Sequence, residues 1–175
     1  MKILAPFLAL LLLPSALYAQ AHAHEEHTSP YADFEDREVK ALSAEDIEGL
    51  LAGAGMEMAL PAELNGYPGP RHVLDMAGML ELTDQQRGSV QEVFERMQAE
   101  AQALGVKIVE AERVLDAAFA EATIDEASLE SMVDDIARAR GALRVAHLKA
   151  HLEVYPLLTE AQRAHYRMAR GYGGA

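Results

Sequence analysis

From Val90 onward the apolar residues recur at spacings of four and three: Val90, Phe94, Met97, Ala101, Leu104, Ile108, Ala111, Leu115 and Ala118. That spacing keeps the side chains on one stripe of a helix, the seam along which it packs lengthwise on another helix. The pattern predicts a helix over residues 84–121, about 55–60 Å long at 1.5 Å per residue. Thr123 to Asp125 interrupts it. A second helix begins near Glu126, with Leu129, Val133, Ile136, Leu143, Ala150, Val154 and Leu157 at the same spacing. Two long helices joined by a short connection predict an antiparallel hairpin. The second seam is imperfect, because Arg140 and His147 fall at seam positions. Leu148, Leu152 and Tyr155 form another apolar face, which needs the short helices, a second subunit or a ligand against it. Pro156 lacks an N–H and should kink or end the helix.

Upstream, the pattern is shorter and more broken. Ser43-Ala44-Glu45-Asp46 has the form of a helix start, and Ile47, Leu50 and Leu51 make a stripe that ends at Gly53. Gly66-Tyr67-Pro68-Gly69-Pro70 is a turn cluster. Pro70 suits the first turn of a helix carrying Val73, Leu74, Met76, Ala77 and Leu80. The fold class that follows is all-α: a long antiparallel helical hairpin with short flanking helices, and a homodimer if the surplus apolar face covers itself.

The two ends read differently. Lys2 followed by the apolar run Ile3 to Leu13, and Ala19-Gln20-Ala21 behind it, fit a cleavable export signal over residues 1–21. The run is too short for a comfortable membrane span, so no transmembrane segment is expected once the signal is removed. Residues 22–42 are expected as a flexible, His-rich and acidic segment, 43–171 as the helical domain, and 172–175 as a disordered C-terminus. Composition agrees with helices: aromatics are 6 % of the chain and Trp is absent. Cysteine is absent too, which excludes thiolate metal sites, thiol catalysis and a disulfide scaffold. A net charge of −13 disfavours nucleic acid and anionic lipid and suits cations or basic partners.

Two stretches repeat. Leu82-Thr83-Asp84-Gln85-Gln86-Arg87 and Leu158-Thr159-Glu160-Ala161-Gln162-Arg163 share the pattern L-T-x-x-Q-R. Thr as N-cap accepts from the third helical amide, and Gln at that position reaches back to the N-cap amide, which is a capping box. Asp84 and Glu160 add charge of the favourable sign at the helix start. Each box contributes about 1–2 kcal/mol. The residue that would complete a hydrophobic staple is Arg in both copies.

On these residues the chain resembles the LTxxQ superfamily of periplasmic proteins, which includes the Spy and CpxP refolding and envelope-stress proteins and the heavy-metal-resistance proteins related to ZraP and CnrX. The resemblance covers roughly residues 70–170. The run from Ala62 to Leu74 and the stretch Ala146-His147-Leu148-Lys149-Ala150-His151-Leu152 are similar to a Spy/CpxP-like subgroup. The resemblance implies a hooked four-helix hairpin, often homodimeric, located in the periplasm. It also implies ATP-independent binding of unfolded proteins, metal binding, or stress sensing with an inner-membrane sensor or regulator as partner. The chain departs from the basic cradle of Spy-type proteins in being strongly acidic.

Seven His supply candidate metal ligands. His147 and His151, at i and i+4, share a helix face and could hold one ion, with His72 close enough to join them. The competing reading makes His147 a buried, hydrogen-bonded polar residue. His22, His24 and His27 form a second candidate set. Cleavage after Ala19 or Ala21 leaves His third in the mature chain, and a free amine, two amides and an imidazole suit square-planar Cu(II) or Ni(II). Met56, Met58, Met76 and Met79 could serve Cu(I), but packing is the better reading. His165, next to Tyr166, reads as structural or exposed. No cofactor is required, and a divalent Cu, Ni or Zn is the optional one. No catalytic motif is present, so the chain reads as a non-enzyme: either a chaperone or stress adaptor, or a metal-binding sensor or resistance protein.

Overall fold

The computed structural model describes residues 29–173. The chain divides into Met1–Ala32 and Asp33–Ala175, and the account below concerns the second unit. The expected export signal and His22, His24 and His27 lie outside the described residues. Among those residues there are six α-helices and no strand: α1 (Ala44–Ala52), α2 (Leu60–Leu64), α3 (Pro70–Asp75), α4 (Asp84–Ala120), α5 (Glu126–Val154) and α6 (Glu160–Ala169). None is long and apolar enough to cross a membrane.

The hairpin is α4 packed on α5, as the spacing predicts. α4 has 37 residues and α5 has 29, so they run about 55 and 43 Å. Every residue of the α4 seam is buried or half-buried, with Ala101 and Ile108 fully so. Asp125 starts α5 with a capping box to Ser128. Pro156 ends it: α5 stops at Val154 and a 3-10 turn, Tyr155–Leu157, follows. One seam expectation is corrected. Val133 is 47 % exposed, because the inward positions at that end of α5 are Leu129, Met132 and Ile136. Arg140 takes its seam position by pairing with the buried Glu112 of α4 at 2.8 Å.

Two apolar clusters hold the short elements to the hairpin. At its open end, Val73, Leu80, Val90, Val154, Leu158 and Tyr166 pack together. Further along, Leu50, Ala101, Ile108, Val109 and Leu143 are joined by Val39 and Leu42. The packed core therefore extends N-terminal to the expected boundary at residue 43, because those two side chains close the cluster beneath α1. At the other end, Tyr172 packs against the first cluster.

α1 lies directly on α4. Its start is fixed by Ser43, whose hydroxyl accepts the Asp46 N–H at 3.0 Å while the Asp46 carboxylate accepts the Ser43 N–H at 2.9 Å. The Ser43 hydrogen bonds hold the Asp46 carboxyl below its ordinary range. It ends at Gly53 in the left-handed region, φ 65°. The approach to α4 is so close that a Cβ on Gly105 would sit 1.9 Å from the Leu50 carbonyl oxygen. α3 is shorter than its apolar residues suggest. It stops at Asp75, and turns carry Ala77 and Leu80 into the core up to Glu81 at φ 50°.

Candidate functional site

Both L-T-x-x-Q motifs form the capping boxes that their residues predict. Thr83 accepts from Gln86 N and Thr159 from Gln162 N, each at 3.2 Å. The glutamine oxygens accept the threonine N–H groups in return, at 3.1 and 2.9 Å. The fold then brings the two boxes together, a step the repeat alone does not reveal. Gln86 Nε2 donates to Gln162 Oε1 at 2.8 Å, and Gln162 Nε2 donates to Gln86 Oε1 at 3.1 Å. Each amide also donates across the junction, Gln86 to the Leu157 carbonyl and Gln162 to the Leu80 carbonyl. Two local helix starts become one crosslink between α4 and α6. Arg163 stands where a staple partner would, and instead donates to the Tyr155 and Leu158 carbonyls and lies over the Tyr155 ring.

Further along the hairpin is a cavity of about 410 Å³. Its walls are Ala52 at the end of α1, residues 53–55 and Ala59 beyond it, Gly69 to His72 at the start of α3, Phe94, Met97 and Gln98 of α4, and His147 and His151 of α5. His72, His147 and His151 thus line one cavity, but they are held differently. His151 Nδ1 lies 2.7 Å from the Tyr67 carbonyl, an acceptor only, so Nδ1 carries the proton. His147 is 3 % exposed, and its Nε2 is buried with no partner. Burial, followed by the charge of nearby His151, lowers its pKa from the ordinary 6.5. Burial also lowers that of His72, which turns Nδ1 toward Tyr166 Oη at 3.5 Å. Among the described residues, no group of three or more His, Asp or Glu is set to hold a metal ion.

The residue that sequence reasoning passed over is Glu63. It is 6 % exposed. Its carboxylate accepts the Tyr166 hydroxyl at 2.5 Å and the Gly69 N–H at 3.2 Å, and it pairs with Arg170 at 3.4 Å. It also lies 3.9 Å from His72 Nδ1 and 3.8 Å from His151 Nδ1. Burial and this carboxylate push the Tyr166 phenol far above its ordinary value. Tyr166 is buried, while His165 beside it is exposed. A lone acid in the otherwise uncharged stretch 59–66 was the available signal for Glu63. Of the methionines read as packing, Met58 and Met76 pack against the core, but Met56 and Met79 are 37 % and 54 % exposed.

The second apolar face of α5 is partly covered. Tyr155 stacks on Tyr67 with ring centroids 4.6 Å apart, and Leu148 is half-buried. Val145 and Leu152 stand out at 61 % and 59 % exposure.

A hairpin of two long helices closed at its open end by paired L-T-x-x-Q caps defines a class of helical, motif-capped protein. The sequence model of the LTXXQ motif family protein matches residues 70–169, more than half of the chain, and the chain belongs to that family. The family is in general periplasmic, of Spy/CpxP or metal-resistance type, and its members are non-enzymatic. No curated protein and no solved structure matched the chain.

Proposed function

We propose that the chain is a periplasmic, ATP-independent chaperone or envelope-stress protein of Spy/CpxP type that binds exposed segments of unfolded proteins. The observation that carries this reading is the apolar face of α5 where Val145, Leu148 and Leu152 recur at i, i+3 and i+7, with Val145 and Leu152 exposed and Leu148 half-buried. Exposed apolar side chains grouped on one rigid element are a common basis for binding another chain. Membership of the LTXXQ family supports the periplasmic setting. The same face would serve a homodimer or a membrane-bound regulator, and client binding is the reading tested first. Light scattering from a thermally or chemically aggregating client tests it: stoichiometric chain should suppress aggregation without ATP, and unchanged scattering would overturn the proposal.

A second reading has its own observation. A buried imidazole nitrogen without a partner is costly, by about 1–3 kcal/mol, and His147 Nε2 is such an atom, on a residue that lines the same cavity as His72 and His151. A Cu, Ni or Zn ion would give it a partner. Calorimetric titration with Cu(II), Ni(II) and Zn(II) tests this reading. Loss of binding in the paired variant His147→Ala with His151→Ala supports it. Binding that survives there and vanishes with His22, His24 and His27 replaced assigns the ion to the N-terminal histidines instead.

A further inference from the structure

From the donors around the cavity at α3, α4 and α5 we infer a site for a soft monovalent metal ion, Cu(I), held by Met97, His147 and His151. The inference rests on the metal reading above and goes beyond it by adding a ligand, a valence and a preference.

Three features of the cavity support it. First, His147 Nε2 is buried and unpartnered, and His147 is one of the residues that line the cavity. Second, His151 has its proton fixed on Nδ1 by the Tyr67 carbonyl. Metal-bound histidines are typically held this way, with one nitrogen donating to a carbonyl and the other left to the ion. Space is kept beside that other nitrogen by Gly69, where a Cβ would stand 2.9 Å from His151 Cε1 and 3.1 Å from Nε2. Third, Met97 lines the same cavity from α4. A thioether is a poor ligand for hard cations and a good one for Cu(I).

Charge selects the valence. The chain carries −13 overall, yet no Asp or Glu lines this cavity, and its one formally charged side chain is Arg71. Glu63, the nearest buried carboxylate, is already occupied by Tyr166, Gly69 and Arg170. A divalent ion here would lack the anionic ligands that usually offset its charge, whereas a monovalent ion needs less compensation. Two imidazole nitrogens and one thioether sulfur form a neutral ligand set. Because it contains only two His, this set is compatible with the lack of any three-residue His, Asp or Glu group among the described residues.

The test is an anaerobic titration of the full chain with Cu(I) against a chromogenic Cu(I) chelator, in a background with His22, His24 and His27 changed to Ala. The expected result is one equivalent of Cu(I), a sulfur shell in the copper X-ray absorption spectrum, and affinity reduced about 10–100-fold by Met97→Leu. Leu is close to Met in volume, and unchanged circular dichroism would exclude loss of fold as the cause. Gly69→Ala gives an independent check, since its methyl would crowd His151 Nε2 and lower affinity while leaving all three ligands present. Affinity unchanged by Met97→Leu, or a spectrum without sulfur, overturns the inference. Zn(II) or Ni(II) bound through His147 and His151 with no Cu(I) uptake also overturns it, but leaves the metal reading standing. No binding of any ion that depends on His147 removes both.

Discussion

Gln86 and Gln162, one in each L-T-x-x-Q motif, exchange side-chain amide hydrogen bonds at 2.8 and 3.1 Å. Each glutamine completes its own capping box and also binds a carbonyl of the other segment, Leu157 or Leu80. The repeat therefore acts as a pair. One copy orients the start of α4, the other the start of α6, and the amide exchange fixes the two starts against each other.

This relationship predicts non-additive mutant energies. Gln86→Ala and Gln162→Ala should each cost about 1–3 kcal/mol, from the lost cap and the carbonyl left unpaired. Urea unfolding of the two single variants and the double variant gives the coupling, expected near 1 kcal/mol. Additive losses would mean that the boxes act independently.

The glycines of the hairpin should respond in opposite directions. At Gly105 a Cβ meets the Leu50 backbone at 1.9 Å, so Gly105→Ala should destabilise by about 1–3 kcal/mol as α1 is forced off α4. Gly141 lies within α5 with nothing within 4 Å of its would-be Cβ. Gly141→Ala should therefore stabilise by about 0.5–1 kcal/mol through helix propensity. Melting curves of the two variants distinguish a packing effect from a generic one.

Stability should fall on mild acidification. His72 and His147 have folded pKa values below 6.5, so between the folded and unfolded values the unfolded chain binds more protons. Their contribution is complete above pH 6.5 and is lost as pH drops from there through the lowered folded values. Asp46 and Asp125 are also depressed, below 3.8, by hydrogen bonds from Ser43 and Ser128, and their contributions disappear only in a more acidic window. Thermal melts from pH 8 to 4.5 should show the first loss, and His147→Leu should reduce it. A flat profile would contradict the buried neutral imidazole.

Glu63 should matter more than its place on a five-residue helix suggests. Glu63→Ala removes the acceptor for the Tyr166 hydroxyl and the Gly69 N–H and takes the carboxylate partner from Arg170, leaving it the Tyr172 hydroxyl. A cost of about 2–4 kcal/mol is expected in chemical denaturation. Tyr166→Phe, which removes only one donor to the same carboxylate, should cost about 1 kcal/mol. Equal effects of the two would mean that the carboxylate's other partners contribute little.

The hairpin was legible because α4 and α5 carry long, regular stripes, and regular stripes translate directly into packing. The capping boxes were legible because each is local to four residues. What brings the boxes together was not, since Gln86 and Gln162 meet only through the turns around Pro156 and Leu80. Glu63 was hidden for a similar reason: its partners come from α6 and the loop before α3, and an isolated acid reads as surface. His147 was visible as an exception in a seam. That Met97 lines a cavity was not visible either, since a methionine at a seam position reads as core whatever lies beside it.

The central claim, that the open face of α5 binds other chains, is tested most directly by a paired aggregation assay. The wild-type chain is compared with the double variant Val145→Glu with Leu152→Glu, both positions being more than half exposed, so the hairpin should keep its circular dichroism and melting temperature. The account predicts that wild-type chain suppresses light scattering of an aggregating client at equal molar amounts and that the folded double variant does not. Equal suppression by both, or by neither, would contradict it.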